Sequence, residues 1–519
     1  ESCRMTTTNR RARRDARREQ RSKLAAPLLS LPFSPPKSPL PPLQFCSPEQ
    51  IEQLHLASMQ ILEETGICFM DTEALQIWER AGARVERESQ RVYIDRSLLL
   101  ETVASAPEQF TLRARNPARN LEVGRNNIIF APQGGVVNVT DLDRGRRSGS
   151  MQDFENFLRI IQVSPVTHLA AEQVIVPAEI SPSVRHLQRV PRLFSMTDKA
   201  VNTTAHGRII SADHMEMARI VFGDPLPDEP VIIGIINASS PLRYDERMLG
   251  AMITFARAGQ ALIITPFILA GATSPISVAA ALAQQNAEAL AGIAFTQLVS
   301  AGAPVVYGGF AANLDMKTGG PAFGTPEGAW TALVTPQLAR RYRLPCRGNG
   351  TLNNSKVADA QAALETSWTI WPTVLAHTNL IKHSIGWLEG GLTVSYEKIV
   401  MDLDDLAKFS HFLNGFEVSA DTLALDMIAE VGPDGHHLGT THTLGRFASE
   451  HYQSILGDSL NYESWAAAGS WDTPRRANAI WKELLAAYQP PPLDPAISAA
   501  LHDFAEHRMR ELEGENLYL

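Results

Sequence analysis

The side chains placed to do chemistry in this sequence are mostly rings and amides. Read at the carboxyl ends of its strand-like runs, they are Gln133, Glu172, Gln173, His206, Asn237, Phe267, Tyr307, Phe310, Asn313, Asn349, Lys356, His383, Trp387 and Tyr396. Acids are scarce: Glu172 alone lies near the end of one of the first seven runs, and Glu389 lies in the eighth loop. A glycosidase needs two carboxylates flanking one bond, so this set disfavours one. A cluster of rings suits a poorly hydrated cation instead, such as a methylated amine, to which each ring contributes roughly 0.5–2 kcal/mol once water is excluded. Phe310 and Trp387, in loops, fit such a cage better than Tyr307 and Phe267, which sit on strands and can equally be barrel filling.

Other constellations carry less. His436, His437 and His442 in GPDGHHLGTTH lack the HExxH spacing and no Asp or Cys follows at ligand distance, so a loop-borne structural role is expected and no intrinsic metal. Ser239-Ser240 is no nucleophile elbow, and the turn DLDRGRRSG from Asp141 is no phosphate loop. The stretch PCRGNGTLNNSKVADAQAALE (Pro345 to Glu365) reads as strand, open loop and helix start, with Ser355 as cap. Lys356 then falls at the positive end of the helix dipole, where it reaches solvent or serves something in the loop.

Positioning such a set requires a scaffold, and the periodicity supplies one. Strand-like runs at Ile128–Ala131, His168–Val174, Ala200–Thr204, Val231–Ile236, Leu262–Thr265, Val305–Gly308, Pro345–Arg347 and Thr378–Lys382 alternate with amphipathic helical patterns. Eight such alternations predict an α/β fold with an eight-stranded parallel (β/α)8 barrel of the TIM type, and no GxGxxG follows the first strand to suggest a dinucleotide fold. The expected organisation is a basic and proline-rich arm over 1–46, flexible by composition; an N-terminal α+β cap over 47–126; the barrel over 127–415; and a C-terminal helical region over 416–511. Residues 1–4 and 512–519 (LEGENLYL) read as tag remnants. Ser47-Pro48-Glu49-Gln50 is a capping-box start to the fold proper.

Composition narrows the partners. The chain of 519 residues carries a formal charge of −9, but Arg10 to Lys23 alone contributes +6, leaving about −15 on the rest. An acidic body argues against nucleic acid. The four cysteines, Cys3, Cys46, Cys68 and Cys346, form no CxxC pair and are expected to be free thiols in a cytoplasmic setting, and no run of about 18 apolar residues suggests a membrane span.

Several stretches resemble the trimethylamine methyltransferase family: LASMQILEETGICF (from Leu56), GGFAANLDMKTGGPAFGTPE (from Gly308), SKVADAQAALE (from Ser355), HSIGWLEGGLTVSYEK (from His383) and VGPDGHHLGTTHT (from Val431). The resemblance implies a barrel enzyme that moves a methyl group from a methylated amine to the cobalt of a corrinoid carried by a partner protein, as a homo-oligomer. Members acting on trimethylamine carry pyrrolysine, and this chain holds only standard residues, so it resembles the pyrrolysine-lacking branch, some of which demethylate glycine betaine. Its pyrrolysine position is expected in the loop around Lys356. On this reading Lys356, Glu172 and His206 are the catalytic candidates, and Gln133, Tyr307, Phe310, Asn349, His383, Trp387 and Tyr396 bind substrate. A betaine carboxylate needs a donor, for which Arg347, Lys356, His206 and His383 are available. The competing expectations are a metal-dependent barrel methyltransferase or lyase using the histidines near His436, and a non-catalytic protein that binds a methylated amine.

Overall fold

The computed structural model describes residues 24–515 and 517. Its centre is a parallel sheet of eight strands, each followed by a helix: β1 (Ile129–Phe130), β2 (Leu169–Ala171), β3 (Ala200–Thr204), β4 (Ile232–Ala238), β5 (Ala261–Ala270), β6 (Val305–Gly308), β7 (Cys346–Asn349) and β8 (Leu380–Lys382). Neighbours in sequence are neighbours in the sheet, β8 pairs with β1, and the His168 N–H donates to the Phe130 carbonyl at 2.9 Å between β1 and β2. That bond closes the barrel, and all eight strand-like runs of the sequence lie on it.

Most of the strands are apolar runs because both faces are buried; β3, β7 and β8 also carry polar side chains. On β5, Ala261 and Ile263 point into the barrel with Ile233, Val306 and Leu380, while Leu262 and Ile264 point outward into the helical layer. The helices are α1 (Met151–Val163), α2 (Arg185–Met196), α3 (Arg208–Phe222), α4 (Glu246–Arg257), α5 (Val278–Val299), α6 (Pro326–Arg341), α7 (Ala360–Leu375) and α8 (Tyr396–Asn414). α5 is buried from Ala281 to Gln297 and largely apolar, and its buried Gln284, Gln285, Asn286 and Glu288 are each hydrogen-bonded. It is covered from outside by the helix Pro48–Gln60, whose Ser58 hydroxyl donates to the Ala283 carbonyl at 2.8 Å. The N-terminal α+β segment therefore lies along the side of the barrel rather than over its mouth.

The barrel is stoppered at the amino ends of its strands. The hairpin Gln109–Leu112/Leu121–Gly124 inserts Leu112, Leu121 and Val123 among Ile129, Leu169, Ile233 and Ile263, with Phe33 packed against the same cluster. Phe33 reaches this place because residues 24–46, expected to be flexible, lie instead against the barrel: the Leu43 N–H donates to the Leu375 carbonyl at 2.8 Å, and the Phe45 and Cys46 N–H groups share the Gln337 side-chain oxygen. Tertiary bonds to an extended backbone thus replace the core that the proline-rich composition cannot form. The basic stretch Arg10–Lys23 lies outside the described residues.

Two helical expectations change. α7 is capped by Asp359, whose carboxylate accepts from the Ala362 N–H, so Ser355 and Lys356 belong to the preceding loop. The sequence over Ser419–Val431 predicts one helix, but Ala424, with φ 46°, separates two short ones. A helix at Pro495–Glu511 packs Leu501 and Ala505 against the body and sends Arg508 to Asp213 at 2.8 Å. Among the described residues no helix is long and apolar enough to cross a membrane, and Cys46, Cys68 and Cys346 are free thiols.

Candidate functional site

The carboxyl ends of the strands open into a mouth walled by rings. Phe310 follows β6 on a short strand that runs parallel to the upper half of β5, with Phe267 and Phe310 in register and their rings 4.8 Å apart. An antiparallel return at Pro321–Ala322 brings Phe323 to 5.9 Å from Phe310. From the opposite side, the loop after β8 contributes His383 and Trp387, whose rings are 4.6 Å apart and stand 5.7 and 6.4 Å from Phe310.

The backbone around these rings is held in place. His383 has φ 58°, a left-handed conformation unusual for a side chain other than Gly, Asn or Asp. It is fixed because its carbonyl accepts from both the Thr351 N–H and the Thr351 hydroxyl. Trp387 is anchored by Asn353, whose amide donates to the Trp387 carbonyl at 2.5 Å, and its ring leans on Gly391. A Cβ at Gly391 would come within 2.5 Å of that ring, and its φ of 95° also requires glycine.

Buried polar atoms without a hydrogen-bond partner gather at the same mouth: Gln133 Oε1, Asn349 Oδ1, Asn353 Oδ1, His383 Nδ1 and Trp387 Nε1. Unmet polar atoms at an open mouth are able to receive a polar ligand.

Below the rings the barrel interior turns basic. Arg347 on β7 and Lys382 on β8 are both fully buried. The Arg347 guanidinium lies 5.3 Å from the Phe310 ring and donates to the Gly309 carbonyl at 3.0 Å; Lys382 Nζ donates to Asn202 Oδ1 at 2.7 Å. Burial, with Arg347 adding repulsion, pushes the Lys382 ammonium down to about 7, and burial brings Arg347 down to about 9. Burial first, then these two cations, hold His383 well below its ordinary value, so its imidazole is neutral.

The other residues singled out in the sequence occupy different surroundings. Glu172 is fully buried behind the mouth, its two oxygens accepting from Arg189 at 2.7 Å and from the Thr204 N–H at 2.7 Å. Burial alone would raise its pKa, but Arg189, His214 and the Thr204 bond hold the carboxyl at about 2, so it is ionised and occupied. His206 lines a groove with Asp245 and Arg247 beside α3 and α4. Lys356 is exposed on the rim, bonding the Asn354 carbonyl at 2.8 Å. Tyr307 faces outward from β6, donates to Asn286 at 2.9 Å and stacks on Tyr342. Tyr396 begins α8, donates to Asp153 at 3.0 Å and packs on Phe157 and Trp481.

The structure therefore brings together Gln133, Phe310, Asn349, His383 and Trp387, and keeps Glu172, His206, Tyr307, Lys356 and Tyr396 apart from them. It adds Phe323, Asn202 and Lys382. Lys382 was legible as the residue two beyond inward-facing Leu380, whereas Phe323 sits in a return strand that no periodicity announces. His436 and His437 are exposed in the C-terminal region, and among the described residues no three His, Cys, Asp or Glu side chains converge on a metal-sized point.

Comparison with known proteins agrees with this architecture. The model of the trimethylamine methyltransferase (MTTB) family matches residues 10–513. A glycine betaine methyltransferase of Desulfitobacterium hafniense (strain Y51) is 40% identical over 478 residues, covering 92% of this chain and 99% of the relative. A trimethylamine methyltransferase MttB of D. hafniense (strain DSM 10664 / DCB-2) is 32% identical over 463 residues, covering 89% and 93%. The crystal structure of the monomethylamine methyltransferase of Methanosarcina barkeri covers 95% of this chain and 92% of its own at a TM-score of 0.51 and 10% identity, a likeness of fold.

Proposed function

Since the chain belongs to the trimethylamine methyltransferase family and is a methyltransferase, we propose that its mouth demethylates a quaternary amine and passes the methyl group to a corrinoid borne by a partner protein. The observation that carries this reading is the ring cluster of Phe310, Phe323, His383 and Trp387 at the open end of a stoppered barrel. The name of the 40% identical relative supports a quaternary amine as the class.

The residues present suit such a reaction. When a quaternary ammonium gives up a methyl group, the N–CH3 bond breaks with both electrons on nitrogen and a neutral tertiary amine leaves. No general acid has to protonate it, which accounts for a mouth without a free carboxylic acid. A reduced corrinoid supplies the strong nucleophile that takes the methyl group. The chain's own residues hold the cation, point one methyl outward along the barrel axis and exclude water, a task of orientation worth several orders of magnitude in rate.

The rim fits a macromolecular partner. Val137, Ile276, Met316, Val357 and Leu392, on the loops after β1, β5, β6, β7 and β8, expose apolar side chains around the opening. Five such residues on the loops of five consecutive strands form one apolar arc of the rim, suited to an interaction surface rather than scattered exposure. Acidic charge and free thiols agree with a cytoplasmic enzyme.

The test is methyl transfer from quaternary amines to free reduced cobalamin, followed by its absorbance, with calorimetry of the same ligands. Enzyme-dependent methylation with a quaternary amine, and none with trimethylamine, is the expected outcome. Absence of both binding and transfer across the quaternary amines would overturn the proposal.

A further inference from the structure

One segment of the chain folds without a core of its own. It leaves α8 after Asn414 and returns to the same helix at Tyr452 and Ser454, whose hydroxyls donate to the buried Asp404 carboxylate at 2.9 and 2.6 Å. Between Leu413 and Ile455 no residue is buried. The helices Ala420–Leu423, Leu425–Val431 and Thr441–Arg446 have four, seven and six residues, and helices so short are unstable in water unless something packs on them. Yet Leu425, Ile428, Leu444 and Phe447 face solvent, and Phe416 and Leu438 are 87% and 79% exposed. The eight large apolar side chains that residues 416–451 expose present about 900 Å², against about 300–600 Å² for the largest apolar patch of a typical monomer.

A second apolar surface lies on the flank of the barrel. On their outer side α6 and α7 enclose a groove of about 400 Å³, walled by Trp330, Trp368, Trp371 and Leu375 and edged by Leu43 and Phe45 of the proline-rich segment. Phe45 stacks on Trp330 at 6.1 Å, and all three tryptophans are exposed. The groove runs on toward the root of the arm: the Trp371 ring meets Phe409 at 4.6 Å and Phe412 at 5.5 Å, and half-exposed Phe412 precedes Phe416 by one helical turn of sequence. Among the described residues, none from 416–451 lines the groove of its own chain.

We propose that residues 416–451 are an exchanged arm: two copies of this chain pair about a two-fold axis, and the arm of each fills the α6/α7 groove of the other. Groove and arm root share one run of rings, so an axis passing beside Phe412 carries each arm across to the opposite groove. Reciprocal exchange of this kind closes on itself and gives a discrete assembly rather than a filament. Two arms seated in two grooves bury about 3,000 Å², within the range of about 2,000–5,000 Å² for permanent homodimers and well above the roughly 1,200 Å² of transient encounters. That size selects a second copy as the occupant. A corrinoid-bearing protein has to dock and leave at each turnover, and it meets the chain at the mouth rather than on this flank. The homo-oligomer implied by the family resemblance thereby acquires a specific contact, and the GPDGHHLGTTH loop a place in it.

The experiment is sedimentation velocity with native mass spectrometry on the full chain at micromolar concentration. Wild type is expected as an even-numbered assembly. Leu425→Glu/Leu444→Glu in the arm and Trp330→Glu/Trp368→Glu in the groove change side chains that face solvent in a single copy, so the circular-dichroism spectrum and the fold are retained. Each double variant alone is expected to fall to half the wild-type mass. Mixed in equal amounts, the two are expected to regain the wild-type mass as mixed assemblies, because the intact arm of the groove variant still fits the intact groove of the arm variant. This rescue separates a lost contact from a lost fold, since a misfolded variant cannot restore its counterpart. A monomeric wild type, an arm or groove variant that keeps the wild-type mass, or a mixture that stays at half mass overturns the exchange.

Discussion

Replacing Lys382 by methionine should stabilise the free protein. The ammonium is buried with one neutral hydrogen bond, and its pKa in the fold is about 7 against an ordinary 10.5. That difference, at 1.36 kcal/mol per pKa unit, is an unfavourable contribution with an upper bound of about 5 kcal/mol. Methionine keeps a similar volume and removes it. Loss of the bond to Asn202 Oδ1 returns about 1 kcal/mol, and relaxation of the interior trims the rest, so a net gain of about 2–3 kcal/mol is expected at pH 6. The pH dependence has a definite sign. Between pH 7 and 10.5 the unfolded chain binds the Lys382 proton and the folded chain does not, so wild-type stability rises across that window relative to the variant. The advantage of methionine is therefore full below pH 7 and shrinks toward pH 10.5. Urea denaturation of both proteins at pH 6, 7.5 and 9 measures it. A variant less stable than wild type at pH 6, or a difference that does not narrow with rising pH, would refute the reasoning.

Three further outcomes are expected. Trp387→Ala removes one ring of the proposed cage and should weaken quaternary-amine binding by about 10- to 100-fold without unfolding the protein, an effect read by calorimetry; unchanged affinity would remove Trp387 from the proposal. Glu172→Gln leaves Arg189 buried without its carboxylate and should cost about 3 kcal/mol in denaturant, while ligand affinity in the folded protein is retained. Lys356→Ala, at an exposed rim position, should change stability by less than about 0.5 kcal/mol and leave amine affinity intact; any loss should appear in transfer to the partner-borne corrinoid, measured as KM for that partner.

The barrel was readable from sequence because most of its strands are short apolar runs buried on both faces and its helices are long enough to show a 3.6-residue period. The site was readable only in part, and parity explains much of the difference. On β6, Val306 points inward, so Tyr307 must point outward; the same alternation that places Leu380 inside also places Lys382 there. Tyr307 reads as a cage candidate from its ring, and Lys382 is not among the candidates; in both cases the strand pattern holds the answer. Glu172 could not be judged this way, because what occupies its carboxylate is Arg189 from α2, seventeen residues later in the chain and visible only after folding. Lys356 was placed by a helix start that Asp359 shifts to Ala360, since an aspartate cap beside an open loop competes with a serine cap. The proline-rich segment carries no periodic signal at all, and its position is dictated by partners such as Gln337 and Leu375 some three hundred residues away.

That segment and the hairpin beside it have a kinetic consequence. With Phe33, Leu112 and Leu121 filling one end, the barrel has a single doorway. On the proposed reaction, amine and methyl acceptor approach through the same opening, and a partner seated on the apolar rim blocks it. The sequence of events is then compulsory: amine enters first, the partner docks second, and the demethylated amine is released only after the partner departs. Excess partner should therefore inhibit turnover by closing empty enzyme, a behaviour that a barrel open at both ends would not display.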